Sequence, residues 1–238
     1  MRSEQMIFSP ISEAIVLFSV PAVFWHMLWV LTAGGASVRK RVVIGFIVLV
    51  WTAYAYSHIR YGFATDIIGN SPAVPIAYLA LAVVLAIFFR HTILGRGVPQ
   101  RLLIALQLFR PIGLVFILED WRGTLPSSFA QPAGWGDLLA GLTALAVLIR
   151  FRGRDIPPRA VILVAVVGLL DFASAFFFGF TSAASPLQLF AFDNPNRVIE
   201  YPLGLIPVFL VPYAVVAHIL SLAQLSKSRP IKLGTILG

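Results

Sequence analysis

Seven apolar blocks of about 17–23 residues dominate this chain and restrict what it can fold into. They occupy residues 11–33, 42–59, 74–89, 102–122, 137–151, 159–180 and 203–225. A helix rising about 1.5 Å per residue crosses a hydrocarbon core about 30 Å thick with blocks of that size. Hydrocarbon offers no water to satisfy backbone N–H and C=O groups, so a span must close its hydrogen bonds internally. Long blocks without period-two alternation meet that demand as α-helices. The expected fold is therefore all-α: one polytopic transmembrane helix bundle of about seven spans, forming a single domain over residues 1–238. The third and fifth blocks are short, so each is open to extension into its flanks, and a tilted or partly re-entrant helix is an alternative for the fifth. The composition, 59% hydrophobic and 12% charged, agrees in lying outside the range of soluble domains. The first block is too long for the apolar core of a signal peptide, and Arg39, Lys40 and Arg41 follow it rather than precede it, so it is read as a retained span.

A net charge of +8 would suggest a polyanionic partner in a soluble protein, but the position of each basic residue gives a different answer. With the N-terminus outside, the cytoplasmic connections and tail receive Arg39, Lys40, Arg41, Arg90, Arg96, Arg101, Arg150, Arg152, Arg154, Arg159, Lys227, Arg229 and Lys232. The opposite face receives only Arg2, Arg60, Arg122 and Arg197. Thirteen against four is the bias that retains positive loops in the cytoplasm, so the C-terminus is expected inside and nucleic-acid binding is discarded. Cysteine is absent, which excludes disulfides, thiolate metal sites and thiol nucleophiles. No metalloprotease, hydrolase-elbow or nucleotide-binding pattern is present either, so no metal site is expected. A retinal Schiff base needs a lysine inside a span, and Lys40, Lys227 and Lys232 all lie outside the blocks.

One ion of each sign remains inside the slab, Arg110 and Asp171. Each costs about 2.5–3.5 kcal/mol at a helix centre, so both must face the bundle interior, a water cavity or each other. Asp171 lies roughly 18 Å from the cytoplasmic end of its block, a central depth, and Arg110 is also central. An ion pair that fixes helix register and a substrate or proton site fit these two residues equally well. Pro111 removes the donor that would bond the Gln107 carbonyl, so the fourth span should kink there and carry Gln107 and Arg110 on one side.

Two long connections are expected on the outer face, 123–136 and 181–202, the second holding Asp193, Asn194, Pro195, Asn196 and Arg197. In the first, Pro126, Pro132, Gly134 and Gly136 argue against a regular helix and for a lid or shallow plug. Glu119 and Asp120 would line its mouth, Asp137 would cap the fifth span, and Trp121 and Trp135 fit an interfacial aromatic belt. His58 and His91 lie near span ends and are expected at the interface. His26 and His218 fall at one depth, roughly 22 Å from the outer face, the spacing a b-type haem would need if spans one and seven touched.

Two stretches resemble a family of bacterial multi-pass integral membrane proteins with no established activity. The first runs from Gln107-Leu108-Phe109-Arg110 through Gly123-Thr124-Leu125-Pro126, Phe129 and Pro132-Ala133-Gly134-Trp135-Gly136-Asp137 to Gly141-Leu142-Thr143-Ala144. The second comprises Tyr201-Pro202-Leu203, Ile206-Pro207, Phe209-Leu210-Val211-Pro212, His218, Ser221-Leu222 and Gln224-Leu225. The resemblance implies a bacterial cytoplasmic (inner) membrane and no mechanism. The residues themselves favour a transporter or channel for a small solute or proton, with Glu119, Asp120 and Asp137 leading past Asp171 to Arg110 and His218, and Gln107 beside them. The alternatives are a membrane-embedded enzyme acting on a lipid or quinone, and a haem-binding or assembly subunit using His26 and His218. The expected partners are the lipid bilayer and a small-molecule or ion ligand.

Overall fold

The computed structural model describes residues 7–33, 35–61, 73–94 and 97–227. Helices α1 (Pro10–Ala33), α2 (Val38–Tyr61) and α3 (Ala73–Leu94) come first. The fourth span is built in three parts: α4 (Gln100–Ala105), a 3-10 segment (Leu106–Gly113) and α5 (Leu114–Trp121). Then follow α6 (Ser127–Arg150), α7 (Pro158–Ser182), a π turn (Ile206–Leu210) and α8 (Val211–Lys227). Seven helical stretches are long and apolar enough to cross a membrane, as expected, and no strand occurs among the described residues.

The bundle has a centre and a periphery. Of the most apolar window in each span, 61% is buried in the fourth and 56% in the seventh, against 17% in α1 and α2. The broken fourth and seventh spans are therefore the protein-facing ones, and α1 and α2 turn side chains such as Phe18, Trp25, Trp29 and Phe46 outward. That exposure would be an aggregation surface in water and is a lipid face in a bilayer.

Pro111 does more than kink its helix. Without a donor for the Gln107 carbonyl, the chain tightens into a 3-10 run on both sides of the proline. At three residues per turn, Gln107 and Arg110 still project from one side, so the expectation about their facing stands.

The connection 123–136 is a correction. Only residues 122–126 are non-helical, and α6 starts at Ser127, ten residues before the expected span. Pro126 sits at the N-cap with an extended backbone, which a proline tolerates, and Pro132 forfeits one hydrogen bond without ending the helix. The glycines are there for contact rather than as breakers. A Cβ on Gly134 would lie 2.7 Å from the Ile117 side chain, one on Gly141 would lie 2.7 Å from Pro111 Cδ, and one on Gly136 would collide with Asp171. These three glycines let α6 lie directly against the fourth span and α7.

The second long connection, expected over 181–202, is irregular and runs over 183–205, and Asn194 Nδ2 donates to the Gly123 carbonyl at 3.2 Å, so both connections lie at one end of the bundle. α7 opens on Pro157 and Pro158, with a proline at its first helical position, where a missing N–H costs nothing.

This packing predicts that Gly141→Val lowers the thermal midpoint of the purified protein, measured by size exclusion after heating, by an amount equivalent to about 1–3 kcal/mol of overpacking. Gly179→Ala, whose Cβ would sit 3.6 Å from the Phe129 ring, should leave the midpoint unchanged or raise it slightly.

Candidate functional site

Arg110 is fully buried at the centre of the bundle and is bonded on several sides. Nε donates to Asp137 Oδ1 at 2.8 Å, Nη2 is ion-paired with Asp171 Oδ2, and Nη1 donates to the Gly168 carbonyl at 3.2 Å. The guanidinium carbon stands 3.8 Å from the centre of the Phe172 ring, close enough for a cation–π contact. Three elements thus converge on one side chain: the 3-10 segment supplies Arg110, α6 supplies Asp137, and α7 supplies Gly168, Asp171 and Phe172. The planar fork of guanidinium donors suits two carboxylates and a carbonyl in a way that a lysine could not match.

The cluster depends on missing side chains as much as on present ones. A Cβ on Gly113 would collide with Asp137, one on Gly136 with Asp171, and one on Gly168 with His218. His218 of α8 meets the edge of Phe172 with ring centroids 6.4 Å apart, and its buried Nε2 has no hydrogen-bond partner. Gln107 Nε2 donates to the Ala214 carbonyl at 3.2 Å, one turn before His218, while its Oε1 has no partner. Gln107, Arg110, Asp137, Asp171 and His218 therefore form one neighbourhood.

The other sequence candidates are placed elsewhere. Asp137 lies ten residues inside α6 and is an ion-pair partner, not a helix cap; the cap expectation failed because the helix start was misplaced. Glu119 is fully buried and accepts from Ser9 N at 2.8 Å, Ser12 Oγ at 2.5 Å and Thr124 Oγ1 at 2.7 Å, with Arg122 Nε 3.3 Å away. It anchors the N-terminus of α1, where a negative charge meets the positive end of the helix dipole. Asp120 accepts from Ser127 Oγ and Gln131 Nε2 and does the same for α6. His58, expected at the interface, is buried with Nδ1 3.1 Å from the Tyr78 hydroxyl. Trp121 and Trp135 are exposed on the bundle surface. His26 lies on α1 with both ring nitrogens buried, beside the Leu102 backbone. His218 packs against Gly168 so closely that no porphyrin-width gap exists on that side.

Above the cluster lies a cavity of about 480 Å³. Asp137 and Asp171 line its floor, Phe116, Phe129, Phe172, Phe176 and Phe180 its walls, and residues 193–200 its mouth. Ile206 and Pro207 of the π turn also reach it, so both broken spans border the site. Of the acidic mouth expected from Glu119, Asp120 and Asp137, only Asp137 lines the cavity; Asp193 and Glu200 stand at the mouth, with Arg197 bound to Glu200 at 2.6 and 2.8 Å. Next to it, Tyr201 donates to Glu13 at 2.7 Å, and burial together with that bond raises its phenol well above the ordinary range, so it stays protonated. Phe172, Glu200 and the contact role of the glycines were missed by sequence reasoning, whereas Asp193 to Arg197 are singled out within the second long connection. The one available signal was Gly168, which lies one turn before Asp171 and Phe172.

Fold and site together define a polytopic helical membrane protein with a buried arginine–dicarboxylate cluster beneath an aromatic cavity. Residues 67–226 match a domain of unknown function, DUF8737, and the chain belongs to that family. The match takes in α3 to α8 and every residue of the cluster, and leaves α1 and α2 outside it. No curated protein and no solved structure matches the chain.

Removing one member of a buried ion cluster leaves charge without compensation, at a cost of about 3–5 kcal/mol. Arg110→Met alone is therefore expected to abolish recovery of monodisperse protein. Combining it with Asp137→Asn and Asp171→Asn should restore recovery in part, as read by fluorescence-detected size exclusion.

Proposed function

We propose that this protein is a proton-linked carrier of a small solute, with the cavity as its solute site. The observation that carries this reading is the floor of the cavity. Two carboxylates share one guanidinium there, so the cluster holds one excess negative charge unless a proton or a solute cation joins it. A charge imbalance of that kind, at the base of a cavity inside a membrane bundle, is how a proton and a solute become coupled.

Two further features support it. The fourth and seventh spans are interrupted beside the site, by a 3-10 run and a π turn, and discontinuous helices at mid-membrane are a recurrent construction in carriers. In this reading the whole chain acts as one transmembrane unit in a bacterial cytoplasmic membrane. The connections 122–126 and 183–205 face outward, following the thirteen-to-four distribution of basic residues. Solute then enters from outside and meets the carboxylates about halfway across.

Proteoliposomes containing the full chain and a trapped pH-sensitive dye test this directly. A panel of small aromatic ammonium, carboxylate and amide compounds should include at least one whose addition shifts internal pH beyond protein-free vesicles. Asp171→Asn should abolish that shift and His218→Ala should reduce it. No response across the panel, or an unchanged response in Asp171→Asn, would remove the reading.

A further inference from the structure

We infer that the solute is a small amphipathic organic cation, an aryl-substituted quaternary or protonated amine, held with its positive centre against Asp137 and Asp171 and its ring among the cavity phenylalanines. This rests on the reading of the cavity as the solute site and names the class of compound it takes.

The sign of the site comes from what lines it. Arg110 is fully buried behind the two carboxylates, so an incoming solute meets the aspartates and not the guanidinium. Asp171 is only 8% exposed, and its Oδ1, packed against Gly136 just behind the floor, has no hydrogen-bond partner, leaving an acceptor unused there. At the mouth, Glu200 holds Arg197 with two bonds, and Asp193 adds a further negative charge. An anion would face these carboxylates without a free cation to receive it.

The walls select among cations. Phenylalanine rings present negative π faces, which attract a soft, weakly hydrated cation. They offer nothing to a strongly hydrated metal ion, which needs several oxygen or nitrogen ligands. Among the described residues no group of three or more acidic or histidine side chains could hold one. A neutral polar solute finds few donors, and Asn196 Nδ2 is already committed to the Gly179 carbonyl at 3.3 Å.

Exchange follows from charge balance. The groups around the floor are Arg110, Asp137 and His218, with Asp193, Arg197 and Glu200 across the cavity. As the cation docks, one proton held by the carboxylate pair returns to water, and the total charge of the site is unchanged.

Isothermal titration of the purified full chain with three probes of similar bulk decides the matter: benzyltrimethylammonium, phenylacetate and N-benzylacetamide. The ammonium should bind at least about tenfold tighter than either other probe. Asp171→Asn should weaken ammonium binding about tenfold and leave the amide unchanged. Equal or tighter binding of phenylacetate or the amide, no ammonium binding at millimolar concentration, or equal loss of all three probes in Asp171→Asn would each overturn the assignment. Ammonium binding without flux would refute the carrier reading alone. Flux driven by phenylacetate, without ammonium binding, would refute the cation alone.

Discussion

A guanidinium cannot be left alone in the middle of a bilayer, and much of this structure is arranged around that fact. The cost of burying Arg110 must be offset by acceptors brought to it. Asp137, Asp171 and the Gly168 carbonyl do so from two other helices, with Phe172 closing one face. For the acceptors to arrive, α6 must approach the fourth span closely, at Gly113, Gly134 and Gly141, and α7 at Gly136. The 3-10 segment follows from the same place, because Pro111 stands next to Arg110 in the chain. Arginine, proline and glycines therefore form one packing solution and not a set of separate motifs.

The spans were legible because a bilayer imposes a length, and their number and approximate limits follow from hydropathy alone. Depth was legible too: Arg110 and Asp171 lie at matching levels, and the structure pairs them. Facing was not. Nothing local in α6 reveals that Gly134 and Gly136 serve contact, since the same glycines and Pro132 read as breakers when taken one at a time. That single misreading moved the start of the helix by ten residues and turned Asp137 from an ion-pair partner into a cap. Glu119 and Asp120 were misjudged for a related reason. Acidic residues near a span end resemble a mouth until the N-termini of α1 and α6 are placed beside them, and tertiary packing alone supplies that placement.

The arrangement also separates strength from function within one cluster. Arg110 is locked on all sides and holds three elements in register. Asp137 and Asp171 each spend one oxygen on it and border the cavity, and Asp171 Oδ1 packs against Gly136. A buried arginine cluster thus lies beneath an aromatic cavity bordered by two interrupted spans.

All of this requires that the cavity open to water at the end carrying the 183–205 connection. The chain contains no cysteine, so single cysteines can be introduced without background. Ala175, on the cavity wall, can be compared with Asn194 near its mouth and with Arg152 at the opposite end of the bundle. Labelling with a membrane-impermeant thiol reagent in sealed vesicles should modify Ala175→Cys from the same side as Asn194→Cys and not from the side of Arg152→Cys. Ala175→Cys that reacts from neither side, or only from the Arg152 side, would contradict the account.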